Sequence, residues 1–132
     1  MTTAIDSSIL LSIYKSEPPG VLWLEKLIGL RRESRLVACE VVVAETRPAL
    51  PSDKAHLEKL RMLGVQFSSL SFEAACRAGQ IHQAYRTAGG QRDRLVADFL
   101  IGAHALLQAD QLATDDAGFM RKYFAPLNLI TL

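Results

Sequence analysis

The sequence predicts an α/β fold, a three-layer α/β/α sandwich with a central parallel sheet of about five strands. Short apolar or β-branched runs alternate along the chain with longer segments whose apolar residues recur at helical spacing. Neighbouring parallel strands need a crossover connection, and helices of about 8 to 16 residues between the runs supply it. No repeat, low-complexity tract or linker interrupts this alternation, so residues 1–132 are expected to form one domain.

The N-terminal part of the chain predicts two strands and three helices. Pro18-Pro19-Gly20 is interpreted as a break between the first two helices, because proline and glycine interrupt helical patterns. The predicted elements are, in order, a strand at 3–5, helices at 7–14 and 21–33, a strand at 36–38 and a helix at 40–47.

The remaining chain predicts three strands and four helices, with clear capping signals. Ser52 or Asp53 is expected to cap one helix, Gly64 to end it, and Ser71 to cap the next. The predicted elements are a helix up to Gly64 with its apolar face at Leu57, Leu60 and Leu63, a strand at 65–67, helices at 71–87 and 94–108, and strands at 112–114 and 127–131 with a short helix between them.

Composition excludes several classes of protein. Fifteen basic and 14 acidic residues leave a formal net charge of +1, which argues against binding nucleic acid by charge alone. Ten of the cations are arginines, which suit phosphate contacts but equally suit solvated helix surfaces. No apolar stretch approaches the ~20 residues of a membrane-spanning helix. The N-terminus also lacks the features of an export signal, so a cytoplasmic location is expected.

The cysteines and histidines do not suggest a zinc site or a nucleophile. Cys39 and Cys76 lie in separate apolar segments without CxxC spacing, so both are expected to be buried thiols rather than zinc ligands or a disulfide. His104 lies six residues after Asp98 on the same predicted helix and is expected to be a packed core residue.

Several acidic residues lie in surroundings typical of a protein core. Asp6, Glu45 and Asp98 each have apolar neighbours on at least one side, and the Asp115-Asp116 pair follows a predicted strand. An ionised carboxylate removed from water is destabilising by several kcal/mol unless it is paired or binds a cation. These acids therefore need an explanation beyond solubility.

The predicted topology brings these acids together. Asp6 and Asp116 follow strands at their C-terminal ends, where open parallel sheets bind ligands, and Glu45 and Asp98 lie near the starts of helices close to those ends. Four carboxylates in one cleft repel one another unless a divalent cation neutralises them, and oxygen-only ligands favour Mg²⁺ or Mn²⁺. Ser7, Ser8 and Thr114 flank the acids and are expected to support them by hydrogen bonds.

Each acid also has a structural explanation. Asp6 and Asp116 are suitable helix N-caps, while Glu45 and Asp98 are compatible with solvated helix faces. Other acid-based or nucleotide-binding folds fit less well. A haloacid-dehalogenase phosphatase needs a second Asp where this chain has Ser8, and the acidic pair, central Asp and late lysine of a receiver domain are not supplied. Neither a dinucleotide-binding glycine motif nor a P-loop occurs.

Four stretches of the sequence combine into a family pattern. They are residues 4–8 (AIDSS), 43–45 (VAE), 92–105 (RDRLVADFLIGAHA) and 113–119 (ATDDAGF). Together they resemble the PIN-domain family, especially the VapC toxins of bacterial toxin–antitoxin pairs. The resemblance spans essentially the whole chain, and its most specific part is the C-terminal third.

The resemblance implies a specific set of active-site residues. It aligns Asp6, Glu45, Asp98 and Asp116 with the family's catalytic acidic quartet, with Asp6, Asp98 and Asp116 as ligands of Mg²⁺ or Mn²⁺. Ser8 and Thr114 match its supporting polar residues. The family usually has T-x-D at the last position, whereas this chain has acids at both 115 and 116. Either acid could bind the metal, and the register favours Asp116; Asp93 is assigned no metal role.

The resemblance also implies an activity and partners. It implies a metal-dependent endoribonuclease that hydrolyses RNA, is blocked by a small cognate VapB-like antitoxin protein, and tends to form homodimers. Three alternatives remain open: a solitary PIN-fold nuclease, a DNA-directed nuclease of the same broad fold, and a binding module whose acids serve only structure. The DNA-directed enzymes usually carry additional helical arches, for which 132 residues leave little room.

Overall fold

A five-stranded parallel sheet in the order β3-β2-β1-β4-β5 forms the centre of the molecule. The computed structural model describes residues 1–91 and 96–132. All four pairs of neighbouring strands are parallel. The strands are β1 (Thr2–Ile5), β2 (Arg35–Ala38), β3 (Val65–Phe67), β4 (Gln111–Ala113) and β5 (Asn128–Ile130).

Seven α-helices occur within the described ranges and complete the predicted α/β/α sandwich, which is confirmed. The start of the helix predicted from Arg94 lies outside the described residues. None of the helices in the described residues is long and apolar enough to cross a membrane. The helices are α1 (Ser7–Tyr14), α2 (Pro18–Leu30), α3 (Glu40–Thr46), α4 (Asp53–Leu63), α5 (Phe72–Thr87), α6 (Val96–Gln108) and α7 (Ala117–Tyr123), and a 3-10 turn (Arg47–Ala49) follows α3.

The capping signals position the helix ends as expected. Ser52 Oγ accepts a hydrogen bond from Ala55 N, and Ser71 Oγ accepts one from Ala74 N, both at 3.0 Å. Gly64 ends α4 with a φ of 75°, a left-handed conformation that glycine adopts without strain. These short-range signals depend on side chains within a few residues of each helix end, which is why the sequence alone located them.

Helix α2 begins earlier than the sequence pattern predicted. Pro18 and Pro19 occupy its first two positions, where the missing amide hydrogens have no helical partner and the fixed φ of proline favours the helix. The interpretation of Pro18-Pro19-Gly20 as a break is therefore wrong, because the break lies at residues 15–17, between the end of α1 and Pro18.

The core contains one of the two cysteines rather than both. Cys39 is 1% exposed at the end of β2, and its pKa is raised by burial. Cys76 lies on α5 and is exposed, so the prediction of two buried thiols is wrong for Cys76. Apolar neighbours in sequence did not indicate which face of α5 this residue occupies, because a helix turns by about 100° per residue.

Helices α1 and α2 approach each other closely at Gly20. A Cβ atom at Gly20 would lie 2.3 Å from the backbone oxygen of Ser12 in α1, whereas a Cβ at Gly29 on the same helix would meet nothing within 4 Å. The absent side chain at position 20 therefore permits the packing of α2 on α1.

Replacing Gly20 with alanine should destabilise the protein, because two backbones would have to separate to admit one methyl group. We expect a loss of about 1–3 kcal/mol in the free energy of unfolding, as for other overpacked sites. Gly29→Ala is the matched control and should be neutral or stabilising by up to ~1 kcal/mol, because alanine favours helix. Urea unfolding of both variants measures the difference, and equal stabilities would contradict the close contact.

Candidate active site

The central strands β1 and β4 bring Asp6 to the carboxyl edge of the sheet. Asp6 follows β1 directly, and its amide donates a 3.0 Å hydrogen bond to Ala113 O, at the end of β4. The residues after β4 therefore lie beside Asp6, although 108 positions separate Asp6 from Thr114. The predicted location of Asp6 and Asp116 at strand ends is confirmed.

Both oxygens of the Asp6 carboxylate are held by protein donors. Oδ1 accepts a hydrogen bond from Ser7 N at 2.7 Å, and Oδ2 accepts one from Thr114 Oγ1 at 2.7 Å. Asp6 is thus the N-cap of α1, as its structural explanation required. Capping does not explain its burial, however, because Asp6 is only 8% exposed and N-caps commonly remain in contact with water.

The pKa of Asp6 reflects this burial and the acids around it. Burial raises the pKa from 3.8 to about 6, the hydrogen bonds from Thr114 and Ser7 oppose the rise, and the negative charges of Asp98 and Asp116 add to it. Asp6, Asp98 and Asp116 therefore interact electrostatically, although they come from three separate segments of the chain.

The segment after β4 gives its two acids different environments. The amide of Asp116 donates to Thr114 Oγ1 at 2.9 Å, so Thr114 links the backbone of Asp116 to the carboxylate of Asp6. Asp116 occupies the N-cap position of α7, but its side chain does not form the capping hydrogen bond. Asp115 instead accepts a 2.8 Å hydrogen bond from Trp23 Nε1. The carboxylate of Asp115 thus contacts α2, whereas the negative charge of Asp116 acts on Asp6.

Glu45 lies in the last turn of α3 and is exposed. The sequence predicted that Glu45 lies near the start of its helix and in surroundings typical of a core, and both predictions are wrong. Its apolar neighbours belong to a short helix whose buried face is formed by Val42 and Thr46. Glu45 is nevertheless connected to the site, because Ser7 Oγ donates a 2.6 Å hydrogen bond to its Oε1. Ser7 thus contacts two of the four predicted acids, through its amide and through its hydroxyl.

A buried histidine fixes the helix that carries Glu45. His56 Nε2 donates to Val43 O at 3.0 Å, because a carbonyl oxygen only accepts, and His56 Nδ1 lies 3.2 Å from Tyr14 OH. Thr46 Oγ1 is a further acceptor for Nε2 at 3.1 Å. The network joins α1, α3 and α4.

Asp98 lies in the first turn of α6 and is half-buried. The next residue, Phe99, is fully buried and its ring contacts those of Tyr85, Phe119 and Tyr123. This aromatic cluster anchors the start of α6, so the backbone of Asp98 is held by packing one residue away. Further along α6, His104 is buried, with Nε2 3.1 Å from Ser68 Oγ, and its predicted packed role is confirmed.

The chemistry of these side chains suits a hard divalent cation. The candidate ligands are carboxylate oxygens whose mutual repulsion a cation would relieve. Over residues 1–91 and 96–132, however, no three His, Cys, Asp or Glu side chains stand close enough together to hold a metal ion as they are. In the same ranges, Ser8 Oγ is buried without a hydrogen-bond partner. The hydrogen bond expected between Ser8 and an acid is therefore not formed within the part of the protein that the structure describes.

Two features of the site had no signal in the sequence. Trp23 contacts Asp115 across 92 positions, and the Tyr14–His56 contact spans 42 positions. A tryptophan or histidine in an amphipathic helix indicates only core packing until its partner is known. By contrast, the supporting roles expected of Ser7 and Thr114 followed from their positions beside Asp6 and Asp116.

Comparison with known proteins supports the family assignment. Residues 3–125 match the family described as PIN domain. No curated protein sequence matches the chain significantly.

Solved structures with the same fold cover nearly the whole chain. A chain of VapBC2 from Rickettsia felis, bound to a DNA fragment from its promoter, aligns with a TM-score of 0.77 and 18% identity over 99% of this chain and 98% of that one. A chain of VapBC-1 from nontypeable Haemophilus influenzae aligns with a TM-score of 0.71 and 19% identity over 99% and 98%. A chain of FitAcB from Neisseria gonorrhoeae aligns with a TM-score of 0.60 and 21% identity over 98% and 96%.

Without divalent cations, the protein should lose stability as the pH rises from about 4 to about 6. The folded state favours protonated Asp6, because its folded pKa of about 6 exceeds the value of 3.8 for an unburied carboxyl. This contribution is complete below the unfolded pKa and is lost as the pH rises through the folded one. The difference between the folded and unfolded pKa values of Asp6 corresponds to roughly 3 kcal/mol in the free energy of unfolding.

Asp6→Asn isolates this effect, because asparagine resembles the protonated acid. In EDTA, the variant should be more stable than the wild type at pH 7 by up to roughly 3 kcal/mol, and this advantage should vanish below about pH 4. Urea unfolding at several pH values measures both proteins. A difference in stability that does not change with pH would contradict the raised pKa.

Proposed function

Because the chain belongs to the PIN-domain family, we propose that it is a Mg²⁺- or Mn²⁺-dependent endoribonuclease and the toxin of a VapBC-type toxin–antitoxin pair. Family membership supports a nuclease. The structural likeness to chains of VapBC and FitAB complexes supports the narrower assignment to a toxin that binds an antitoxin.

The negative charges of Asp98 and Asp116 near the buried carboxylate of Asp6 are the observation that supports this proposal. The three acids come from distant segments, and their charges act on one another. A fold that uses acids only for solubility has no reason to bury one of them and to bring two like charges near it. A site for a divalent cation gives that reason.

Asp6, Asp98 and Asp116 are the residues that would hold the cation, directly or through water. When bound, the cation would lower the pKa of a water molecule and would offset negative charge on the scissile phosphate. Thr114 keeps the Asp6 carboxylate oriented, while Ser7 orients Glu45. Glu45 would either complete the ligand set or orient the attacking water and accept a proton from it.

RNA is the proposed substrate, and recognition would depend on its backbone and on the shape of its loops. Arginines suit the phosphate contacts that position RNA. Not every arginine is available for this role, because Arg47 pairs with Asp53 at 2.6 Å and Arg31 donates to Met62 O at 2.9 Å. The proposal further includes a VapB-like antitoxin as the inhibiting partner, a homodimer, and a cytoplasmic location.

Asp98→Asn should abolish RNA cleavage, because it removes one charge from the metal site with little change in shape. Purified protein is incubated with structured RNAs, with and without Mg²⁺ or Mn²⁺. We expect metal-dependent cleavage by the wild type, and a loss in the variant larger than the ~100-fold that removal of an outer-shell partner can cause.

Asp110→Asn is the matched control for this experiment. Asp110 is an exposed carboxylate near the opposite edge of the sheet, where its Oδ2 accepts from Thr2 N at 2.7 Å. It should leave cleavage unchanged. Absence of cleavage of any RNA by the wild type, together with no metal-dependent rise in its melting temperature, would overturn the nuclease proposal in favour of a binding module.

Glu45→Gln should separate the charge of Glu45 from its hydrogen bond. Glutamine keeps an oxygen that accepts from Ser7 Oγ but loses the negative charge, whereas Ser7→Ala keeps the charge and loses the bond. We expect Glu45→Gln to lower kcat by about 100-fold or more with little change in KM, as for loss of a general base, and Ser7→Ala to have the smaller effect. Equal losses in both variants would assign Glu45 a purely structural role.

A further inference from the structure

Trp23 is the only tryptophan of the chain, and it is fully buried in α2. Its indole Nε1 donates a 2.8 Å hydrogen bond to Asp115 Oδ1, which belongs to the segment after β4. A buried indole N–H that lacks a partner is destabilising. The hydrogen bond to Asp115 therefore stabilises the core and also connects Trp23 to the candidate site. A carboxylate acceptor makes the hydrogen bond stronger than a neutral one.

The hydrogen bond from Trp23 constrains the segment that carries Asp116. Thr114 Oγ1 donates to Asp6 and accepts from Asp116 N, which fixes the segment on the side of β1. Trp23 holds the intervening Asp115 from the side of α2. Thr114 is therefore attached to Asp6, which follows β1, and the next residue, Asp115, is attached to α2.

The helix that carries Trp23 is itself firmly placed. Gly20, one turn before Trp23, allows α2 to pack directly against the backbone of α1, and Leu27, one turn after it, is buried. The indole is thus held by packing on both sides along the helix. A rigid donor of this kind restricts the acceptor more than a donor on a flexible side chain would.

We propose that Trp23 is a positioning residue for the metal centre, which by holding Asp115 directs Asp116 toward Asp6 and keeps Asp115 out of the ligand set. The proposal rests on the function proposed above. It assigns the two adjacent acids different tasks: Asp115 anchors the segment, and Asp116 faces the cation. Asp115, which occupies the middle position of the T-x-D pattern, then has a structural purpose.

Mg²⁺ binding to the full chain, measured by isothermal titration calorimetry, tests this assignment, and tryptophan emission gives a second readout for the variants that retain Trp23. Trp23→Phe keeps the aromatic packing but removes the donor, and Asp115→Ala removes the acceptor. Each should weaken Mg²⁺ affinity by about tenfold or more, the range found for partners that orient ligands. The double variant should be no weaker than the weaker single variant, because both remove the same interaction.

Two further variants separate positioning from charge. Asp115→Asn keeps an acceptor oxygen for the indole and should keep an affinity close to that of the wild type. Asp110→Ala removes a carboxylate near the opposite edge of the sheet and should leave the affinity unchanged. Asp115→Ala should also alter tryptophan emission in the absence of metal, whereas Asp110→Ala should not.

The remaining outcomes would overturn the proposal. If Asp115→Asn loses as much affinity as Asp115→Ala while Trp23→Phe binds normally, Asp115 is itself a ligand. If Asp115→Ala and Trp23→Phe both bind normally, the contact does not position the site. A wild type that binds no Mg²⁺ would overturn the proposed function as well. A wild type that binds Mg²⁺, with variants that bind it equally well, would overturn only the positioning role of Trp23. Should Trp23→Phe fail to fold, the exposed position of Asp115 lets Asp115→Ala and Asp115→Asn decide.

Discussion

The parallel pairing of β1 with β4 at the centre of the sheet is the constraint on which the site depends. In the strand order β3-β2-β1-β4-β5, the chain leaves β1 toward β2 on one side and returns to β4 on the other. Such a reversal opens a crevice at the carboxyl ends of the two strands, where ligands of open α/β sheets bind. Asp6 follows β1 and Thr114 follows β4, so the hydrogen bond between their side chains spans this crevice.

In that position, the ionised form of Asp6 destabilises the folded protein. Its two hydrogen bonds favour the ionised form, but burial and the charges of Asp98 and Asp116 outweigh them, since the pKa rises to about 6. The surrounding core must compensate for this destabilisation. Stability and a preformed negative site therefore oppose each other here, as they commonly do where a protein concentrates like charges for a function.

The sequence contained enough information to predict the fold and the location of Asp6 and Asp116 after strand ends, and the reasons are physical. Strand runs, caps and the positions of Asp6 and Thr114 depend on neighbouring residues, and parallel strands share a common carboxyl edge. The exposure of Glu45 and of Cys76 was predicted wrongly, because apolar neighbours do not reveal which face of a short helix is buried. The contact of Trp23 with Asp115 spans 92 positions, and no local pattern encodes such a pairing.

The kind of donor around the acids is compatible with the proposed cation site. A lysine or arginine against Asp6 would lower its pKa and stabilise the fold, but it would neutralise the charge that a metal ion needs. Hydroxyl and amide donors orient a carboxylate and leave its negative charge in place. Asp6 is held by Thr114 Oγ1 and Ser7 N, and Glu45 is held by Ser7 Oγ. The hydroxyls of Thr114 and Ser7 thus hold the carboxylates of Asp6 and Glu45 in place and leave their negative charges intact. A simple helix cap or a solvated acid would not need this arrangement.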